Sequence, residues 1–67
     1  MNRYYPDLNT VSKEELEMIP GITEETAAAI VRYREEVGGI ESFEELTGVE
    51  GVTQNHVDHL RPWLRIA

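Results

Sequence analysis

The stretch Ser42 to Leu60, SFEELTGVEGVTQNHVDHL, repeats Ser12 to Ile30, SKEELEMIPGITEETAAAI, thirty residues on and without a gap. Ser12 answers Ser42, Glu14-Glu15-Leu16 answers Glu44-Glu45-Leu46, Gly21 answers Gly51 and Thr23 answers Thr53. Ile19, Ile22, Ala27 and Ile30 answer Val49, Val52, Val57 and Leu60. Apolar positions match apolar positions, so the two halves are expected to share one fold. A unit of this length cannot bury its apolar face alone, and two copies stacked together can.

Each half opens on a capping-box signature, Ser12 with Glu15 and Ser42 with Glu45. A short helix follows, stopped by Pro20-Gly21 in the first copy and near Gly48 in the second. A second helix begins after Thr23 or Thr53, both good N-cap residues. In the first copy it carries Ala27, Ile30, Val31 and Val37 on one face and stops at Gly38-Gly39. In the second it runs to about Arg61, where Pro62 discourages continuation. The expected architecture is all-α: a single domain over 1–67, with motif one at 12–37, a connector at 38–41 and motif two at 42–61. An approximate two-fold axis would relate the motifs in a compact bundle of four to five helices. The expected core is Leu16, Ile19, Ile22, Ala27, Ile30, Leu46, Val49, Val52, Val57 and Leu60. Tyr33, Phe43 and Trp63 are expected to close its edges, with Tyr4, Tyr5 and Leu8 as a flap.

At 67 residues only one small domain fits, and it buries only roughly 60% of its unfolded surface. There is no cysteine, so no disulfide supports it. Hydrophobic content of 40% is too high for a disordered chain. No apolar run approaches the ~20 residues that span a bilayer, and MNRYYPDLN lacks the apolar stretch of a signal peptide. A soluble monomer without membrane contact is expected, its compartment open. Thirteen acids against six bases give a net charge of −7, which repels polyanions at long range. The acid pairs read as solvated helix faces.

The residues DLNTVSKEELEMIPGI, IVRYREEVGGIESFEEL and VEGVT resemble the ComEA-type helix-hairpin-helix domain, from about Asp7 to Leu64. The resemblance implies two helix-hairpin-helix motifs in one compact all-α domain. It also implies non-sequence-specific binding of double-stranded DNA, as in the competence protein that receives incoming DNA. Related domains in K-type minor pseudopilins and in the extrinsic U subunit of photosystem II serve protein contacts, so the fold alone does not fix the function.

A DNA-binding hairpin of this family reads hydrophobic-x-Gly-hydrophobic-Gly, with a basic residue two positions on. Bare glycine backbone lets a phosphate approach the amides of the following helix, and the basic residue displaces counterions. Such contacts position DNA without reading bases. Here Gly21 and Gly51 are kept, Thr23 and Thr53 replace the second glycines, and Glu25 and Asn55 stand at the basic position. The candidate DNA-binding residues are Gly51, Val52, Thr53, Gln54 and Asn55, with Arg61 and Arg65 downstream. Gly21, Ile22 and Thr23 are their first-hairpin counterparts. The alternative is a protein-interaction or scaffold module that kept the fold and lost the charge. On that reading the glycines only permit tight turns and the threonines only cap helices.

His56, Asp58 and His59 invite a metal reading, but a structural zinc site needs four ligands, and exposed histidines are the plainer account. Arg32 and Glu36 have the i, i+4 spacing of a surface ion pair, and Arg34 is placed to anchor the chain's own carbonyls. No nucleophile–base pair, phosphate loop or metal-protease motif is present, so neither enzymatic activity nor a cofactor is expected.

Overall fold

The computed structural model describes residues 5–66. The element order is α1 (Lys13–Glu17), α2 (Glu24–Val37), the 3-10 helix η1 (Phe43–Gly48), α3 (Gln54–Leu60) and the 3-10 turn η2 (Arg61–Trp63). The thirty-residue repeat reappears in the backbone bonds. Ile22 N–H donates to the Ile19 carbonyl at 3.1 Å and Val52 N–H to the Val49 carbonyl at 3.0 Å. Ala27 and Val57 N–H likewise donate to the carbonyls of Thr23 and Thr53. The copies part at their first helix, which is α-helical in α1 and tightens to 3-10 in η1.

Local chemistry explains the starts. The Ser12 hydroxyl accepts from Glu15 N–H at 3.0 Å, and the Glu15 carboxylate accepts from Ser12 N–H at 3.0 Å. This reciprocal cap satisfies two amides that have no helical partner. In the second copy Glu45 reaches back to the amides of Glu41 and Ser42, at 2.7 and 3.1 Å, and accepts the Tyr33 hydroxyl at 2.9 Å. Those donors hold the Glu45 carboxyl below its ordinary range, the Glu41 amide foremost. The same carboxylate pushes the Tyr33 phenol up.

Nine of the ten expected core residues are buried, and Val49 packs half-buried at the edge. The core also takes in Leu8, Val11, Ile40 and Leu64. Leu8 is fully buried at the centre rather than lying in a flap, whereas Tyr5 is largely exposed; Tyr4 lies outside the described residues. The cause is pairing between the two ends of the chain. Asp7 and Arg65 form an isolated parallel bridge. Leu8 N–H donates to the Arg65 carbonyl at 2.8 Å, and Arg65 N–H to the Pro6 carbonyl at 3.0 Å.

Two polar side chains hold the N-terminal segment down. Asn9 clamps Ile40, donating Nδ2–H to its carbonyl at 2.9 Å and accepting its N–H at 2.6 Å. Arg34 donates from Nη1 to the Leu8 and Val11 carbonyls at 2.9 and 2.6 Å. The expected anchoring role of Arg34 is thus met.

Tyr33 and Phe43 pack against the core as expected, but Trp63 is 50% exposed. It lies on the 3-10 turn with Pro62, and Leu64 and Ile66 close that end instead. Val37 is also exposed, in a last turn where α2 overhangs the much shorter α1. Among the described residues no helix is long and apolar enough to cross a membrane.

Candidate nucleic-acid interface

The two hairpins share a backbone and differ in what surrounds it. Gly21 and Gly51 have φ of +90° and +92°, a region that side chains with a Cβ rarely adopt. Space around Gly51 is open. A methyl group added at Gly21 would instead run into the imidazole of His59. A side chain from the second motif thus stands over the first hairpin.

The threonines cap as expected, though onto one amide each. Thr23 Oγ1 accepts from Thr26 N–H and Thr53 Oγ1 from His56 N–H, both at 3.3 Å. His56 Nδ1 accepts in turn from Thr53 N–H at 3.1 Å, completing a box in which histidine replaces the usual glutamate. This orientation requires Nδ1 to be the unprotonated nitrogen. The two amides ahead of each third position, Glu24 and Glu25 or Gln54 and Asn55, have no protein partner among the described residues. These donors lie at the positive end of a helix and are the ones an anion would use.

In the first hairpin those donors sit on Glu24 and Glu25 themselves. Lys13 reaches Glu17 at 2.6 Å and Glu24 at 3.4 Å, and its ammonium pKa is pushed up, chiefly by the Glu17 hydrogen bond. In the second hairpin the first turn of α3 holds no acid. The Gln54 amide group is bound to Asp58 at 3.0 Å, which leaves Asn55 exposed and unengaged.

The basic residues are less available than their spacing promised. Arg61 is bound to Glu44 and lies over the Phe43 ring, 5.3 Å from its centroid. That hydrogen bond holds the Glu44 carboxyl low. Arg61 also stands at the far end of α3, about 10 Å along its axis from the hairpin. Arg65 spends Nε–H on the Tyr5 carbonyl at 3.0 Å, beside the Asp7 bridge. Both arginines are thus engaged within the chain, and Arg61 stands a helix length from Gly51–Asn55. Arg32 makes no ion pair with Glu36 and has no charged or hydrogen-bonded partner among the described residues. It lines a cleft of about 240 Å³ where Ala29, Tyr33 and Glu36 of α2 face Gly48, Val49 and Glu50 of the second hairpin. No local pattern points to this neighbourhood, because it depends on how the motifs dock. His56 and His59 have separate neighbours, and among the described residues no three potential ligands gather for a metal.

Two hairpins, each a capped helix start behind a left-handed glycine, define a tandem helix-hairpin-helix module. Residues 7–65 match the family described as "Helix-hairpin-helix motif", and the chain belongs to that family in its ComEA-type form. Over 61 residues it is 36% identical to the mouse "Endonuclease/exonuclease/phosphatase family domain-containing protein 1", covering 91% of this chain and 11% of the relative. The Xenopus laevis protein of the same name is 46% identical over 46 residues, 69% of this chain and 8% of that one. "ComE operon protein 1" of Bacillus subtilis is 34% identical over 55 residues, 82% of this chain and 27% of the relative. The chain thus spans about a tenth to a quarter of the curated relatives it matches.

Proposed function

We propose that this domain is a non-catalytic module that binds the backbone of double-stranded DNA without sequence preference, and that its second hairpin carries the contact. The observation behind this reading is the open backbone at Gly51 leading into the unpartnered amides of Gln54 and Asn55, with no carboxylate in the first turn of α3. Membership of the helix-hairpin-helix family supports it, as does likeness to a ComE operon protein. In this reading Gly51 and Val52 shape the turn, Thr53 caps it, and the Gln54 and Asn55 amides meet the phosphate. Arg65 adds charge from a distance, and Arg61 does so only by leaving Glu44. Gly21, Ile22 and Thr23 form the matching turn but take no phosphate, because Glu24, Glu25 and His59 surround it.

One observation favours the second reading, a protein-docking module. Of the five described basic side chains, Lys13, Arg34, Arg61 and Arg65 are engaged within the chain. Any DNA contact is therefore weak and shallow in its salt dependence.

Fluorescence anisotropy of a labelled duplex, titrated at low and then physiological salt, tests the proposal. Weak binding that falls off gently with added salt is expected. Asn55→Glu should abolish it, and Asn55→Lys should strengthen it and steepen the salt slope by about one unit. No binding at high micromolar protein and low salt would leave protein docking as the function.

A further inference from the structure

The first hairpin is surrounded by exposed apolar and acidic groups. Met18, at the C-cap of α1, is 80% exposed, and Pro20 is exposed in the turn itself. Trp63 is 50% exposed beside exposed Pro62. The repeat relates these two pairs. Ala29, Arg32 and Tyr33 face Gly48, Val49 and Glu50 across the cleft at the second hairpin. Their partners thirty residues away are His59, Pro62 and Trp63 on one side and Met18, Ile19 and Pro20 on the other. By that relation Pro62 and Trp63 are expected on the side of Met18 and Pro20. The contact between His59 and Gly21 is an independent sign that this half of the symmetry is kept.

A lone exposed apolar residue is ordinary, whereas several large ones together mark an interaction surface. Around this face Glu14, Glu24 and Glu25 are exposed, and the single lysine of the chain is already bound to Glu17 and Glu24. We propose that the Met18–Trp63 face docks a basic, amphipathic segment of a partner protein. Its apolar side would cover Met18 and Trp63, and its cations would meet the rim. Charge complementarity selects this occupant. A second copy would bring the same −7 charge, and a nucleic acid would meet the acids of the rim. The site lies apart from the second hairpin, so it stands or falls independently of DNA binding.

Trp63 is the only tryptophan, so its emission reports on this face. The probe is a fourteen-residue helical peptide of leucine and lysine, compared with a lysine–serine peptide of equal charge. The leucine–lysine peptide should shift Trp63 emission to the blue with a saturable isotherm, and the lysine–serine peptide should bind at least tenfold more weakly. Met18→Ser, a change at an exposed position, and the pair Glu24→Lys with Glu25→Lys should each weaken binding tenfold or more. Circular dichroism would verify that both variants fold. Asn55→Glu, at the other hairpin, should change it less than twofold. Equal binding of both peptides, an unaffected Met18→Ser variant or an absent blue shift would each overturn the proposal. So would sedimentation of the free domain as a dimer that Met18→Ser dissolves.

Discussion

Replacing each hairpin glycine by alanine separates two costs that the structure distributes unequally. At φ near +90° any Cβ strains the backbone, so both variants lose about 1–2 kcal/mol on that account alone. At Gly51 nothing stands within 4 Å of the new methyl, and the cost ends there. At Gly21 the methyl meets His59. That ring belongs to an exposed side chain, so it can turn away rather than force the backbone apart. Leaving its rotamer and its packing adds about 0.5–1.5 kcal/mol. Gly21→Ala should therefore be less stable than Gly51→Ala by about 1 kcal/mol, or roughly 4–8 °C in Tm for a domain of this size. Thermal unfolding followed by circular dichroism, run as a double-mutant cycle with His59→Ala, isolates the term. Coupling of about 1 kcal/mol is expected between Gly21→Ala and His59→Ala, and none between Gly51→Ala and His59→Ala. Equal losses at the two glycines with no coupling would show that His59 does not stand on the first hairpin.

Two further outcomes follow from the hydrogen bonds. Asn9→Ala removes both bonds to Ile40 and leaves that buried residue's N–H unsatisfied, so a loss of about 2–3 kcal/mol in urea unfolding is expected; a loss under about 0.5 kcal/mol would refute the clamp. The Tyr33–Glu45 bond should shape stability at both ends of the pH scale. Glu45 has a depressed pKa in the fold, so its contribution is full above the unfolded glutamate value of about 4.3 and fades as pH falls through the folded value. Tyr33 has a raised pKa, so its contribution is full below about pH 10 and is lost as pH rises through the folded value. Tyr33→Phe should flatten the alkaline limb of the urea midpoint and shrink the acid limb, and an unchanged profile would contradict the bond.

The parts legible in the sequence are those fixed by neighbours a few residues apart or by the repeat. The Ser12–Glu15 box, the threonine caps and the apolar positions inside the two copies all belong to this class. Leu8, Val11, Ile40 and Leu64 fall outside the repeat, and their burial comes from pairing between the chain ends and from the Asn9 clamp, which no local pattern encodes. The charges show the same limit. Spacing brought Arg61 and Arg65 forward as phosphate ligands, yet Arg61 pairs with Glu44, seventeen positions earlier, and Arg65 with the backbone of Tyr5. Arg32, expected to pair with Glu36, has no partner among the described residues and borders the second hairpin. Which hairpin stays open depends on His59 meeting Gly21 across the two motifs, a contact set by tertiary packing.

The division of labour between the hairpins is tested most directly by amide chemical shifts of the nitrogen-15-labelled domain, titrated with a short DNA duplex at low salt. Saturable shifts at Gly51, Val52, Gln54 and Asn55, reversed by added salt, with Gly21 to Glu25 unmoved, are the predicted result. Equal shifts at both hairpins, or shifts at the first alone, would contradict it.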